Sequence, residues 1–323
     1  MEKNFADRLY AAIDKHQNPS VVGLDPQLDS IPDFIKEKNE NKFGATFEAA
    51  SASILDFNRS ILKEIKGIVP AVKPQIAFYE QYGHHGVKAF EDTISEAKRL
   101  GFLVIVDGKR NDIGSTSEAY ARAFLGHTSL FGEKKPVWYA DALTVNAYLG
   151  SDGVIPFVNI CKEYGKGIFV LVKTSNKGSA ELQNLIVKDN SGANKTVYEV
   201  MAELVKAWGN DLVGEEGYTS IGAVVGATHP KEAEVVRKII PQSFFLVPGY
   251  GAQGGTADDT IPNFNKDGFG AIVNSSRGIL YAYKSKGSEK AREEDFALCA
   301  RQAALDMKKQ LQDSMKKADI CPW

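Results

Sequence analysis

Residues 102–112 read FLVIVDGKRND, five apolar residues followed directly by a dense charged segment. A continuous apolar run of this kind is typical of a parallel strand that is buried on both faces. Seven similar runs occur along the chain, and the eight together occupy residues 20–24, 71–76, 102–106, 142–145, 168–172, 221–225, 244–247 and 271–273. The sequence therefore predicts a protein built around eight parallel strands.

Stretches with helical spacing of apolar residues lie between these runs. One face of residues 45–65 carries Phe47, Ile54, Phe57, Ile61 and Ile65. Residues 91–100, 197–208 and 231–240 follow the same pattern. Eight strands that alternate with helices favour an α/β protein with a (β/α)8 TIM barrel, and a doubly wound open sheet is the alternative.

One connection between the runs is unusually long. Residues 182–218 exceed what a simple crossover needs, and residues 188–195 within them are polar and rich in turn formers. No repeat, low-complexity tract or Pro/Gly linker divides the chain. We therefore expect a single barrel domain over residues 1–323, with an insertion around residues 182–218.

The charged segment after residue 106 has the spacing Asp107-x-Lys109-x-x-Asp112. In an extended segment Asp107 and Lys109 point the same way, and barrels carry their chemistry at the C-terminal ends of the strands. Two carboxylates that flank an ammonium keep it protonated and fixed, as a proton donor needs. A solvated charged loop is the alternative, but Lys73 at the end of the preceding run favours a charged site.

The last two strand ends have the composition of a phosphate site. Residues 248–255 read PGYGAQGG, and residues 274–278 read NSSRG. Glycine-rich backbone exposes N–H groups, Arg277 adds a bidentate donor, and barrels often bind phosphate after strands seven and eight. A flexible turn is the alternative for the glycine cluster alone. Asp25, at the end of the first run, fits either a turn cap or a ligand of a substrate hydroxyl.

Composition argues against several other classes of protein. The net charge is -2, so no basic field draws the chain to nucleic acid. The three cysteines, Cys161, Cys299 and Cys321, form no CxxC pair, which suggests neither a metal site nor a disulfide framework and fits a reducing compartment. No apolar run approaches the ~18 residues of a membrane span, and residues 1–16 lack an apolar signal segment. We expect a cytoplasmic protein that does not insert into a membrane.

Six motifs, in chain order, resemble orotidine 5'-monophosphate decarboxylase. They are GLDP at 23–26, KPQIAFYE at 73–80, VDGKRNDIGST at 106–116, VKTSN at 172–176, VPGYGAQGG at 247–255 and NSSRGI at 274–279. The longer chain, the DGKRNDI segment and TVNAYLGSDG at 144–153 look most like the second bacterial subfamily. Each motif is weak alone, but the ordered set is highly specific and extends over residues 21–281.

The resemblance implies roles for individual residues. The charged network would comprise Lys73, Asp107, Lys109 and Asp112, with Lys109 as the proton donor. Asp25 would bind a ribose hydroxyl, and Ser175 would meet the pyrimidine edge. Pro248 would lie at the base of a closing loop, and Gln253 and Arg277 would bind the phosphate. In a homodimer with shared active sites, the residues that reach into the partner's site would be Asp112, Ile113 and Thr116.

The reaction implied is decarboxylation of orotidine 5'-monophosphate to UMP and CO2, the last step of UMP biosynthesis, without metal or cofactor. The nearest alternative is a magnesium-dependent decarboxylase or aldolase of sugar phosphates that shares the barrel and the DxKxxD spacing. Such an enzyme needs an acidic residue where this chain has Lys73, because a lysine repels Mg²⁺. A catalytically silent phosphate-binding barrel is the other alternative, and it would need none of the DxKxxD charges.

Overall fold

The computed structural model describes residues 3–189, 192–285 and 292–323. Eight parallel strands pair in chain order and the last pairs with the first, which closes a barrel. The strands are β1 Ser20–Leu24, β2 Ala71–Pro74, β3 Leu103–Arg110, β4 Ala142–Val145, β5 Gly167–Lys173, β6 Thr219–Val225, β7 Ser243–Val247 and β8 Ala271–Ser275. The predicted (β/α)8 barrel is confirmed, and each of the eight predicted runs overlaps one of these strands, although residues 75, 76 and 102 lie outside them.

Helices surround the barrel and connect its strands. They are α1 Phe5–His16, α2 Asp33–Phe43, α3 Phe47–Ile65, α4 Ala77–Glu80, α5 Gly83–Arg99, α6 Gly114–Phe124, α7 Ser151–Tyr164, α8 Ala180–Gln183, α9 Val197–Gly209, α10 Pro230–Ile239, α11 Ala257–Thr260, α12 Arg277–Leu280 and α13 Phe296–Lys317. The four predicted helical stretches correspond to α3, α5, α9 and α10. None of the helices in the described ranges is both long and apolar enough to cross a bilayer.

The hydrophobic core has two parts, and their positions determine where polar side chains can lie. A larger cluster lies between the strands and the surrounding helices. A smaller cluster fills the barrel interior, and α1 closes its lower end with Phe5, whose ring meets Phe169 edge-on at 6.0 Å between centroids. Side chains alternate across a strand, so a residue two positions after one of these interior residues also points into the barrel. It lies closer to the barrel mouth.

Residues 182–218 differ from a simple insertion. They contain α9, which packs against β5 and β6 as the crossover helix between these strands. What is added lies before α9: the short α8 begins at residue 180, and an antiparallel hairpin pairs Ile186–Lys188 with Asn194–Thr196. Residues 190 and 191, within the turn-rich stretch 188–195, lie outside the described residues. A second hairpin, which the sequence did not reveal, pairs His127–Leu130 with Glu133–Pro136.

Candidate active site

The polar strand ends converge on one cavity of about 590 Å³ at the mouth of the barrel. Its walls include the ends of all strands from β1 to β8 and the loops that follow them. Eight of the residues predicted for the site line this cavity: Asp25, Lys73, Asp107, Lys109, Ser175, Pro248, Gln253 and Arg277. Residues far apart in sequence therefore share a site of the size of a small ligand.

Asp107 stands between two lysines on one side of the mouth. Its Oδ2 accepts a hydrogen bond from Lys73 Nζ at 2.8 Å, and its Oδ1 accepts one from Lys109 Nζ at 2.5 Å. Lys73 and Asp107 are buried, whereas the side chain of Lys109 is 46% exposed and faces the open cavity. The array thus holds two positive charges on one carboxylate, and Lys109 is the one that a ligand can meet.

The three charges stabilise one another in their ionised forms. Burial by itself would raise the pKa of Asp107, but Lys73 and Lys109 outweigh it and hold that pKa well below its usual range. Burial would lower the pKa of Lys73, but the Asp107 and Asp25 carboxylates outweigh it and raise that pKa. The array of two ammonium groups and one carboxylate can therefore attract a negative charge that develops in the cavity.

Thr144, which sequence reasoning missed, fixes the geometry of this array. Its Oγ1 donates to Asp107 Oδ1 at 3.0 Å and accepts from the backbone N–H groups of Gly108 and Lys109 at 3.0 and 2.9 Å. These contacts accompany an irregular register between β3 and β4 and a left-handed backbone at Lys109, with φ of 45°. A non-glycine residue in this region is strained, and such strain is often found at functional sites.

β3 also runs further than predicted, because its pairing with β4 resumes at Arg110 after the irregularity. The sequence pattern placed the end of the strand at residue 106, where the apolar run stops. Lys109 therefore projects from a distorted strand rather than from a free loop. Its position is set by backbone hydrogen bonds as well as by the ion pair.

Asp25 and Ser175 lie on opposite sides of the cavity, after β1 and β5. Asp25 Oδ1 is buried and has no hydrogen-bond partner within the described part of the chain. The Ser175 carbonyl accepts from Thr228 Oγ1 at 3.0 Å, and the glycine backbone at 226 and 249 packs against this residue so closely that a Cβ at Gly226 would lie 2.7 Å from Ser175 Cα. Ser175 is thus held firmly, while Asp25 retains an acceptor for a ligand.

The loop that carries Ser175 is tied together by side chains that the sequence did not single out. Gln183 accepts from the backbone N–H of Thr174 and donates to its Oγ1, both at 2.9 Å. The buried Lys173 donates to Ser179 Oγ at 3.0 Å and to Asn184 Oδ1 at 2.9 Å. These contacts hold the segment after β5 against the cavity, where Gln183 is part of the wall.

The predicted phosphate ligands both line the cavity. Arg277 begins α12 directly after β8, and Gln253 lies in the glycine-rich loop after β7. Both are exposed to the cavity. The loop folds back on itself through a hydrogen bond from Gly251 N to the Gly255 carbonyl at 2.8 Å. An arginine beside an ordered, glycine-rich backbone is an arrangement suited to a phosphate group.

The structure does not bring Asp112, Ile113 and Thr116 into the cavity of their own chain. Asp112 Oδ1 accepts from the backbone N–H of Ile113 at 2.8 Å, and within the described residues it forms no ion pair with Lys109. Ile113 is 53% exposed and Thr116 is exposed, at the start of α6. The DxKxxD spacing therefore separates into a pair that lines the cavity, Asp107 and Lys109, and a third, half-buried residue that lies outside it.

One part of the cavity wall is apolar. Leu171 on β5, Val224 on β6 and Leu246 on β7 belong to or pack against the interior core, and they also line the cavity. Across residues 3–189, 192–285 and 292–323, no three histidine, cysteine or acidic side chains form a group placed to hold a metal ion. A flat ligand would therefore lie between an apolar surface and the charged array.

Known proteins resemble this chain over nearly its whole length. The orotidine 5'-phosphate decarboxylase of Rhodopirellula baltica is 44% identical over 95% of this chain and 98% of that protein. The one of Caldicellulosiruptor bescii is 43% identical over 87% and 91%. The structure of Leishmania donovani OMP decarboxylase matches with a TM-score of 0.70 at 29% identity, covering 96% of this chain and 98% of that one. The family model "Orotidine 5'-phosphate decarboxylase / HUMPS family" matches residues 22–293, and the chain belongs to this family.

Proposed function

We propose that this protein decarboxylates orotidine 5'-monophosphate to UMP and CO2, the last step of UMP biosynthesis, with Lys109 as the proton donor. The observation that carries the proposal is the Lys73–Asp107–Lys109 array, a buried carboxylate between two ammonium groups at the mouth of the barrel. The protein's own charges perform the chemistry. The three cysteines are free thiols dispersed along the chain, which is consistent with a protein that acts in the reducing cytoplasm.

Loss of CO2 from C6 of the pyrimidine leaves a carbanion whose electron pair lies in the plane of the ring, where no carbonyl can delocalise it. A fixed ammonium close to C6 stabilises this charge as it forms and then transfers a proton to it, which gives UMP. Lys109 suits this task because its Nζ is anchored on Asp107 and faces the cavity. The proton that Lys109 loses must return from solvent before the next turnover.

The energetics require more than one lysine. A single preorganised donor contributes roughly 3–4 kcal/mol, whereas enzymes lower their barriers by roughly 8–23 kcal/mol. Binding of the phosphate by Gln253 and Arg277, and of the ribose by Asp25, would supply further energy at a distance from C6. Movement of the loop after Pro248 over the substrate would exclude water and strengthen the electrostatic interactions in the site.

We further propose that the protein acts as a homodimer in which each site is completed by its partner. The support is that Asp112, Ile113 and Thr116 lie outside their own cavity although they follow the array by only a few residues. Ile113, Tyr148 and Leu149 are all exposed, and such large apolar side chains fit a covered surface better than one in water. Asp112 of one chain would then add a second carboxylate beside Lys109 of the other.

The activity is tested by mixing the purified protein with orotidine 5'-monophosphate and following the loss of orotate absorbance. We expect steady conversion to UMP with release of CO2. The same protein with heat-denatured chains is the control. A native protein that binds UMP but leaves the absorbance unchanged would contradict the proposed function.

The shared site is tested with two variants that are each inactive alone, Lys109→Ala and Asp112→Ala. In a mixed dimer one site has both residues intact and the other lacks both. Random pairing makes half of the dimers mixed, so the co-expressed mixture should regain about a quarter of wild-type activity, and the isolated mixed dimers should have about half. The variants are co-expressed with different tags and mixed dimers are isolated through both. Inactive mixed dimers would place Asp112 in its own chain's site, and two differently tagged Lys109→Ala chains are the control.

A further inference from the structure

Asn274, at the end of β8, is a polar residue of the cavity wall that has no part in the reaction proposed for Lys109. Ile272, two residues earlier, belongs to the interior core, so alternation along β8 directs Asn274 toward the barrel interior. The residue is part of the cavity wall, between Asp25 after β1 and Arg277 after β8. It therefore lies at the junction of the predicted ribose and phosphate ends.

The orientation of the Asn274 amide depends on a glycine in the neighbouring strand. Val21 and Asn274 are register partners, and Gly23 follows on the same face of β1. A Cβ at Gly23 would overlap Ser276 Oγ and would lie 3.1 Å from Asn274 Oδ1. The missing side chain at Gly23 thus makes room for the Asn274 amide above β1.

One half of this amide has a partner and the other has none. Asn274 Nδ2 donates to Ser276 Oγ at 3.3 Å. Oδ1 is buried and has no hydrogen-bond partner in the part of the chain that the structure describes. Asp25 Oδ1, after the adjacent strand β1, is also buried and has no hydrogen-bond partner among the described residues. Two buried acceptors without donors are costly unless a ligand supplies the donors.

The chemistry of the ligand decides which of its groups these acceptors can meet. Phosphate oxygens, the carboxylate and the ring carbonyls of orotidine 5'-monophosphate are acceptors, so none of them can satisfy Oδ1. The ring N–H is a donor, but the predicted pyrimidine contact, Ser175, follows β5, three strands away from β8 in the closed barrel. The ribose hydroxyls are the donors that remain near β1 and β8.

We propose that Asn274 is a substrate-binding residue whose Oδ1 accepts a hydrogen bond from a ribose hydroxyl and so selects ribonucleotides together with Asp25. This inference rests on the proposed function. Gly23 is then a specificity residue as well, because a side chain there would displace the amide.

The test compares orotidine 5'-monophosphate with its 2'-deoxy and 3'-deoxy analogues on wild-type protein, Asn274→Ala and Asn274→Asp. We expect Asn274→Ala to lower kcat/KM for the ribonucleotide about ten-fold and to leave it unchanged for the analogue that lacks the partner hydroxyl. Asn274→Asp keeps an acceptor and the shape of the side chain. It should therefore retain the preference for the hydroxyl even where its overall activity falls.

Asn263→Ala is the matched control, since Asn263 is also buried with an unpartnered Oδ1 in the described residues but lies outside the cavity. It should lose stability and keep the wild-type preference for the hydroxyl. If Asn274→Ala loses activity equally on all three nucleotides, the proposal is wrong and Asn274 only supports the fold. Failure of the proposed function would be visible separately, because wild-type protein would then convert none of them.

Discussion

The mouth of the barrel has two unlike halves. On β2, β3 and β4 the interior positions carry Lys73, Asp107 and Thr144, with Lys109 beyond them. On β5, β6 and β7 the corresponding positions carry Leu171, Val224 and Leu246. The first half supplies fixed charge. The second supplies an apolar surface, which strengthens the electrostatic interactions of that charge by excluding water. A pyrimidine ring can pack against this surface.

Because the two halves have different roles, similar substitutions in them should have different effects on activity. A change in the charged half should remove interactions that exist only in the transition state, and so lower kcat. A change in the apolar half should alter packing and water exclusion, with a smaller effect. The following experiments compare the two halves with each other and with the phosphate end.

Asp107→Asn should have the largest effect of these. It removes the carboxylate that orients Lys109 and leaves the buried Lys73 ammonium without the ion-pair partner to which it is hydrogen-bonded. We expect kcat to fall on the order of 10³-fold and the free energy of unfolding to fall by roughly 3–5 kcal/mol. Turnover assays and denaturant unfolding measure the two effects.

A partly buried ion pair elsewhere provides the control for this variant. Asp141 accepts from Arg8 at 2.5 Å at the other end of the barrel, and Asp141→Asn should cost stability while it leaves kcat within a few-fold of wild type. Equal losses of kcat in both variants would mean that Asp107 acts only through the fold.

Arg277→Ala should have the next largest effect, at the phosphate end. The loss of one charged donor should lower kcat/KM for orotidine 5'-monophosphate about 10²-fold, or about 2.7 kcal/mol. Orotidine without its phosphate should be affected far less. Steady-state kinetics on the two substrates measure the difference, and equal damage to both would remove Arg277 from phosphate binding.

Val224→Thr changes the apolar half by one hydroxyl at almost constant volume. Val224 is buried against the cavity, so the hydroxyl should admit water or remain unpaired there. We expect kcat to fall by up to about ten-fold, with a stability loss of roughly 1–3 kcal/mol. Val205→Thr in the outer core is the control and should lose stability alone. If kcat is the same for both variants, the apolar half serves packing only.

Chelation should have no effect. The position at which a magnesium-dependent relative would need an acidic residue is Lys73, whose ammonium is buried on Asp107. Exhaustive treatment with EDTA should therefore leave the rate unchanged in the orotate absorbance assay. Activity that disappears and returns with Mg²⁺ would favour the sugar-phosphate alternative.

The sequence predicted the barrel and much of the cavity for physical reasons that can be named. Buried parallel strands need continuous apolar runs, and the polar residues directly after them had to meet at one end. Thr144 was missed because a lone threonine in the run ALTV is also an ordinary strand former. The long side chains of Lys173 and Gln183 close a loop across several residues, and no short-range pattern predicts such contacts.

Two further features depend on contacts distant in sequence. Asn274 owes its orientation to the absence of a side chain at Gly23, about 250 residues earlier. The position of Asp112 outside the cavity, three residues after Lys109, follows from the irregular backbone of β3 and the start of α6, which spacing alone does not specify.

Lys109→Ala, measured beside Lys88→Ala, tests the central claim most directly. Lys88 is a partly exposed lysine on α5 that pairs with Asp92 at 2.8 Å, away from the cavity. At saturating orotidine 5'-monophosphate, we expect Lys109→Ala to lose about 10³–10⁴-fold in kcat while it still binds UMP, and Lys88→Ala to match wild type. A folded Lys109→Ala protein that keeps more than about a tenth of wild-type kcat, a loss below about 1.4 kcal/mol in barrier, would contradict this claim.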